Sequence, residues 1–517
     1  KMIEALEKSD PLLYKQYVEA LREHDGVSHF IRNSGYFPLC GCGRINTYAV
    51  FAELNRNLMG PKGRAGFIVP SGIATDDTTK FFFQSLVEKE SLASLFDFEN
   101  RQALFPGVHR SYKFSLLTLT GLERPSKSGA DFAFFLYQTE DLSDPEKVFK
   151  LSKEDIELIN PNTKTCPIFR SKRDAEITKA IYRRVPVLIK EGRDGKPDEN
   201  TWGISFKQGL FNMTSDTHLF RTREQLEGDG FKLKGNIFEQ GNERYLPLYE
   251  AKMIHHYNHR WASSTADDER EMDAEFYQNP NNVVMPRYWV GEDEVIKTTS
   301  GNHKYKYFLG YRWIARSTDE RTFISSITPL AGYGNSFPVI MSANLIYSHA
   351  CTFLANSSSY IFDYAVRQKL GGTNMTFGTT QQLPFLKQNK YKNTDVDFIA
   401  HRVLELVYTA HDLAPFALDC GYSGPPFKWD EERRFLIRCE LDAAYFHLYE
   451  ISRDDVDYIM DTFPITQRKD QDKHGYYRTK KVILEIFDEM TDAIKTGKAY
   501  QTKLDPPPGD PRAAHGK

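Results

Sequence analysis

The chain has 517 residues, 40% hydrophobic and 26% charged, with a formal net charge of −3 at pH 7; that length predicts two to four domains rather than one small core. The near-neutral balance excludes a uniformly basic nucleic-acid binder, so any basic surface must be local. No apolar run approaches the roughly 18 residues of a membrane span, and the opening KMIEALEKSD lacks the apolar core of a secretory signal, so a cytoplasmic protein making no membrane contact is expected.

In chain order, residues 1–160 read as alternating helices and apolar strands. Cys40 and Cys42, one residue apart among glycines, invite a metal reading. A structural zinc site wants two close ligand pairs, and no second pair exists. His24 and His29 could complete a site on paper, but their spacing fits no closed one. Two reduced thiols in a turn, with no metal, is the expectation. The other cysteines are far apart, which excludes a disulfide framework. Ile45, Tyr48, Ala49 and Ala52 then recur at helical spacing. Asn46 or Thr47 can cap this helix, and Gly60-Pro61 stops it. AGFIVP, short and Gly/Pro-bounded, reads as a buried strand. TDDTTKFFFQSLVEKE reads as a helix capped by Thr75 or Asp76. LASLFDFEN and YKFSLLTLTG read as strands joined across RQALFPGVHRS. This is the second half of an open α/β sheet.

Residues 161–390 are more irregular, with strand-like pieces in YLPLYEAKMI and VVMPRYWV and a turn-rich LAGYGNSF. Residues 281–390 hold 11 Lys+Arg against 6 Asp+Glu, a local +5 (11 − 6). The acidic run WASSTADDEREMDAEFYQNP reads as a solvated loop. MSANLIYSHACTFLANSSSYIFDYAVRQKL is the first long helix candidate here, and the domain reads as mixed α/β. From 391 onward VDFIAHRVLELVYTAHDL, DEERRFLIRCELDAAYFHLY and KKVILEIFDEMTDAI read as helices. The Pro-rich end KLDPPPGDPRAAHGK is expected to be frayed or disordered.

GRINTYAVFAELNRNLMGPKGRAGFIVPSGIA resembles a stretch of the γ-class N6-adenine DNA methyltransferases of restriction-modification systems. In that family an N-L-Y-x-x-F helix leads through L-x-P-x-G into a strand ending V-P. The counterparts are Asn46, Tyr48, Phe51, Pro61, Gly63, Val69 and Pro70. LFDFENRQALFPGVHRSYKFSLLTL resembles the family's next strand, its F-P element and the strand that follows. DYAVRQKLGGTNMTFGTTQQLPF resembles the end of its target-recognition domain, closing at Leu383-Pro384. RRFLIRCELDAAYFHLYEISRDDVDYIMDTFPI is similar to larger members linked to restriction and phage defence.

The resemblance implies a partial Rossmann-like methyltransferase sheet over 1–160, a mixed α/β target-recognition domain over 161–390 and a helical C-terminal region over 391–517. It also marks a departure. The Gly-rich S-adenosylmethionine loop and the Asn/Asp-Pro-Pro-aromatic tetrad, which lie upstream of the N-x-Y-x-x-F helix in the family, have no counterpart here. A chain opening on Lys therefore reads as the C-terminal part of such an enzyme, inactive alone. Its expected partners are double-stranded DNA and a separate catalytic, restriction or helicase subunit. The alternative is a non-catalytic DNA-binding specificity subunit.

Adenine methylation requires the base to leave the stack and lie against apolar or aromatic faces. The resemblance gives Phe105 one such face; by itself, an aromatic beside Pro-Gly is a packing anchor. Phosphate and base contacts call for basic and amide side chains. The candidates are Arg287, Arg312, Arg316, Arg321, Arg367, Lys369 and Asn374, with Gly372 in a Gly371-Gly372 pair that would let backbone amides approach phosphate. The competing reading is surface salt bridging, for instance of Arg316 or Arg321 with Asp319 or Glu320. His255, His256 and His259 suggest loop or DNA-facing roles rather than a metal. A rival outline, Glu250-x-Lys252 with Asp229 upstream, is that of a Mg²⁺-dependent nuclease.

Overall fold

The computed structural model describes residues 2–192, 195–264, 269–299, 306–342 and 347–516. They form a mixed α/β structure of two compact units, Lys1–Lys179 and Ala180–Lys517.

After a short helix over Met2–Ser9, the first unit continues with helix α1 (Pro11–Asn33), where Asp10 accepts the Leu13 amide at 3.1 Å and Pro11 supplies a preset φ. None of its residues is buried, and it has no counterpart among the predicted elements. Helix α2 (Thr47–Leu58) starts where expected, with Asn46 at the cap position but without a side-chain capping bond. Strand β1 (Arg64–Pro70) follows. The next predicted helix starts later than read: residues 77–79 form a 3₁₀ turn, and α3 (Lys80–Glu88) begins after it. Thr79 spends its hydroxyl on the Gly72 carbonyl at 2.6 Å, holding that turn. Phe82, Phe83 and Leu86 anchor α3 in the core; burying each such side chain contributes about 1.5–3 kcal/mol.

Strands β2 (Leu92–Glu99), β3 (Lys113–Thr120), β4 (Ala130–Leu136) and β5 (Phe149–Leu151) complete a sheet of order β1-β3-β2-β4-β5. β3 lies antiparallel between β1 and β2, which are therefore parallel to each other and joined by a crossover through α3. β4 is parallel to β2. The Pro61 and Gly63 segment is tied to the end of β3: Gly121 N–H donates to Gly63 O at 3.0 Å and Glu123 N–H to Pro61 O at 2.9 Å. A Cβ at Gly121 would lie 2.2 Å from the Pro61 oxygen, so only glycine fits.

The second unit holds three sheets. β6 (Ser205–Lys207), β14 (Tyr307–Tyr311), β15 (Ser325–Pro329) and β17 (Val339–Met341) pair in the order β15-β14-β17-β6. β7 (Phe220–Arg221), β8 (Lys232–Lys234), β9 (Ile237–Gln240), β10 (Glu243–Tyr249) and β13 (Trp289–Gly291) run β7-β13-β10-β9-β8, and β16 (Gly332–Tyr333) pairs parallel with β10. β11 (Ala262–Ser264) and β12 (Glu269–Glu271) form a hairpin. This corrects the acidic run from a solvated loop: it is paired backbone, and Tyr277 in it is buried against Trp429 at 3.9 Å. Residues 265–268 of the run lie outside the described residues.

The predicted helix over 341–370 is two, α4 (Tyr347–Ser358) and α5 (Tyr360–Arg367). Ser359 divides them because its hydroxyl caps α5, accepting the Phe362 amide at 3.3 Å; residues 343–346 are outside the described set. Further helices are α6 (Asn393–Val407), α7 (Glu431–Leu448), α8 (Arg453–Asp461), α9 (Pro464–His474) and α10 (Arg478–Thr496). The expected division at 390 falls inside this unit. Across it, Arg260, fully buried, donates to the carbonyls of Asn282 at 2.8 Å and Thr409 at 3.0 Å. The Pro-rich end is packed rather than frayed. Gly509 N–H donates to buried Glu405 at 2.8 Å, and Lys428 and His515 pair by backbone with Ala513 and Pro426.

Candidate nucleic-acid interface

At the C-terminal end of β1, Tyr48, Gly72 and Asp76 close on one another. A Cβ at Gly72 would lie 2.4 Å from an Asp76 oxygen and 3.1 Å from the Tyr48 hydroxyl. Burial, then Asp76, pushes the Tyr48 phenol up to about 12. Beside them Asp97 on β2 accepts from Ser71 and, at 2.8 Å, from Ser115. Burial raises its carboxyl to about 6 against the pull of those hydroxyls. Phe51 of the motif faces outward, 61% exposed.

The loop from β2 to β3 is built on Asn100, whose side chain is fully buried. Its amide nitrogen donates to the carbonyls of Phe105 and Val108, each at 2.9 Å, and its oxygen accepts the Phe105 amide at 3.0 Å. The loop is thus fixed by three bonds from one residue that the sequence reading passed over; the signal available was an Asn at the exit of a strand, a common turn former. Phe105 stands edge-on to Phe114 at 5.0 Å and remains 39% exposed. It is both anchored and displayed, with exposed Leu104, Val108 and Tyr112 nearby in the loop.

In the second unit, two segments of the basic stretch pair with each other. Ala315 N–H donates to Thr373 O at 3.1 Å, Met375 N–H to Trp313 O at 2.7 Å, and Ile314 bridges Asn374. The resulting lobe exposes Arg316, Gly372, Asn374 and Ile314. Among the described residues the Arg316 guanidinium makes no ion pair; its backbone amide donates to the Asp319 carboxylate at 3.2 Å and its carbonyl accepts the Asp319 amide at 3.1 Å. Gly372 has open space where a side chain would stand.

Four of the expected DNA contacts are turned inward instead. Arg312 donates to the Ile254 carbonyl at 3.1 Å. Arg321 pairs with buried Asp363 at 2.9 Å and donates to Ser358 O at 2.6 Å. Arg367 donates to the carbonyls of Asp319, Glu320 and Thr462 and lies over the Phe463 ring. Lys369 donates to Gln382 O against the Tyr182 ring, where burial drives its pKa well down. Each cation satisfies carbonyls at a chain reversal, a need that charge counting does not register. Arg287 is intermediate, partly exposed with Nε 4.0 Å from Glu250.

Two of the three histidines are turned inward, and the His255 ring packs 4.5 Å from Trp261. His259 Nε2 lies 2.9 Å from Asp412, and His256 is buried. No group of three or more His, Cys, Asp or Glu among the described residues could hold a metal ion. The nuclease outline is not assembled: Asp229 is taken by Arg221, Lys252 by Glu269 at 2.8 Å, and Glu250 meets Ser264. Cys40 is a buried free thiol in a turn, with Leu39 and Cys40 amides both bonded to Glu53, at 3.1 and 2.8 Å. No helix among the described residues is long and apolar enough to cross a membrane.

No family model and no curated protein matches the chain. Among solved structures it is similar to the type IIG restriction endonuclease BpuSI, at 12% identity and a TM-score of 0.27 over 80% of this chain and 51% of that one. It is also similar to the type IIL restriction-modification enzyme MmeI in complex with DNA, at 9% identity and a TM-score of 0.37 over 80% and 52%. The chain thus spans about half the length of each. Likenesses at this level define no family.

Proposed function

We propose that this chain is the C-terminal portion of a site-specific adenine-N6 DNA methyltransferase serving restriction-modification or phage defence. The single observation that carries the reading is Phe105: a half-exposed ring on a loop locked by buried Asn100, at the position the sequence resemblance gives to the base-stacking aromatic. Arg316, Asn374 and the open backbone at Gly372 are the DNA-contacting groups of the second unit, with Arg287 beside them in the basic stretch. S-adenosylmethionine does not fit the residues present: ahead of β1 the described elements are helices, with no strand and Gly-rich loop to cradle it. The cofactor and the tetrad would be supplied by polypeptide outside this sequence, and no catalytic step is assigned here.

The test is binding of a fluorescent DNA duplex across a salt series. Affinity should fall as salt rises, with a log–log slope of about −0.9 per neutralised phosphate. Arg316→Ala should reduce the steepness by about one contact. Binding that is absent at low salt, or indifferent to salt, would overturn the reading.

A further inference from the structure

Residues 313–316 and 372–375 form a short antiparallel ribbon in which Ile314 faces Asn374. The flanking bonds, Ala315 N–H to Thr373 O at 3.1 Å and Met375 N–H to Trp313 O at 2.7 Å, belong to the residues on either side. Ile314 and Asn374 are therefore a non-hydrogen-bonded pair, the kind whose Cα atoms come within about 4.5 Å and whose side chains leave one face side by side. Burial follows the alternation of a strand. Ala315 is 3% exposed and Met375 is fully buried behind the ribbon, whereas Ile314 is 63% exposed and Arg316, Gly372 and Asn374 are exposed with it.

The ribbon is fixed from behind. Trp313 N–H donates to Ser336 O at 3.0 Å, and the Trp313 ring stands edge-on to Phe377 at 5.6 Å. Thr376, next in the chain, caps the short helix Phe377–Gln381 by accepting the Thr379 amide at 3.2 Å. A face backed this firmly presents its side chains in a set arrangement. An exposed isoleucine is ordinary by itself; this one stands beside an amide. Among the described residues the Asn374 carboxamide makes no hydrogen bond. Asp319, the acid of the adjoining turn, has its carboxylate on the Arg316 amide and leaves the guanidinium unpaired.

We propose that this face enters the major groove of DNA and reads one A·T base pair of the recognised sequence. A two-stranded ribbon is one of the shapes that groove admits. There adenine shows an N7 acceptor beside an N6 donor, and thymine shows its C5 methyl. The Asn374 carboxamide carries the complementary donor and acceptor, and Ile314 at its side supplies the apolar contact for the methyl across the pair. The unpaired charge makes the occupant DNA rather than an apolar protein surface. Arg316 lies about 7 Å from Ile314 along the ribbon, roughly two base-pair steps, where it meets a flanking phosphate. Gly372 falls opposite Arg316 in this register, and a Cβ there would have nothing within 4 Å, so the backbone can approach at that corner. This inference rests on the DNA-binding part of the proposed function and adds what the lobe reads.

The test is selection by the chain from DNA duplexes with a randomised central stretch, followed by binding of the selected duplex with single bases replaced. The selected sequences should share a fixed A·T pair. Uracil in place of its thymine should weaken wild type by about 4-fold, the worth of one buried methyl, and Ile314→Ala should bind the two duplexes alike. Asn374→Ala should lose the preference for A·T at that position, about 5- to 150-fold for one bidentate base contact. Replacing that adenine by 7-deazaadenine should weaken wild type and leave Asn374→Ala unaffected. Both variants should keep the wild-type salt slope, because neither side chain is charged. Salt-dependent binding in which neither variant relaxes any position overturns this inference and leaves the proposed function standing; no binding at low salt overturns both. Sensitivity to 3-deazaadenine, a minor-groove change, in place of uracil and 7-deazaadenine also overturns it by putting the ribbon in the other groove.

Discussion

Replacing Asp363 tests whether Arg321 belongs to the fold or to a DNA surface. The Asp363 carboxylate is fully buried. It accepts Arg321 Nε at 2.9 Å, the Thr322 amide at 2.9 and 3.0 Å, and the Phe323 amide at 2.9 Å. Burial pulls the Arg321 pKa down, but Asp363, Tyr360 and Asp442 outweigh it and the net direction is up. Asp363→Ala strands two backbone donors and a guanidinium that is 12% exposed. Removing one partner of a buried pair costs about 3–5 kcal/mol. In Arg321→Met with Asp363→Ala the uncompensated charge is gone, so the double variant should be less destabilised than the sum of the singles by about 1–3 kcal/mol. All five Trp residues lie between 202 and 429, so urea unfolding followed by Trp fluorescence reports the second unit specifically. Additive effects would refute the coupling. If Arg321→Gln flattened the DNA salt slope by about one contact while leaving the unfolding midpoint unchanged, the structural assignment would fail outright.

Asp97 gives a pH signature in the first unit. Its folded pKa of about 6 lies above the ordinary carboxyl value of 3.8, so its contribution is fully present below about pH 4 and is lost as pH rises through 6. The span corresponds to about 3 kcal/mol. Asp97→Asn should remove this dependence from hydrogen-exchange protection of β2 and β3, corrected for intrinsic rates; an unchanged pH profile would count against it. Glu53→Ala removes the acceptor of the Leu39 and Cys40 amides and should cost about 1–3 kcal/mol. Burial and Glu53 raise the Cys40 thiol in the native chain, so labelling by a thiol reagent should be slow in wild type and faster in the variant. Glu405→Ala releases Gly509 and Arg433, and limited proteolysis should then cut within 503–517, where wild type resists. In an enzyme completed by its cofactor-binding part, Phe105→Ala should lower methylation by about 10- to 100-fold, the worth of one base stack at about 1–3 kcal/mol, while Phe105→Trp retains most of it.

Local pattern carried much of the fold. The spacing of Tyr48, Ala49 and Ala52 marks α2, and Gly/Pro punctuation brackets β1. The tail helices carry enough apolar periodicity to be read directly. Helix α1 is missed because its apolar residues are exposed and give no core-facing stripe, although Asp10 and Pro11 mark its start. The site was legible only in part. Phe105, Arg316, Gly372 and Asn374 lie on exposed loops as a DNA-facing role requires, whereas Arg312, Arg321, Arg367 and Lys369 do not.

What the sequence by itself determined is therefore what depends on neighbours along the chain: helices, strands, the turn at Cys40 and the aromatic before Pro106. Which cations reach solvent was decided by tertiary structure. Arginines close in sequence meet different fates because partners such as Asp363 and the Ile254 carbonyl arrive from 42 and 58 residues away. A buried carbonyl or carboxylate must be satisfied by whatever donor the fold brings to it, and sequence charge does not say which.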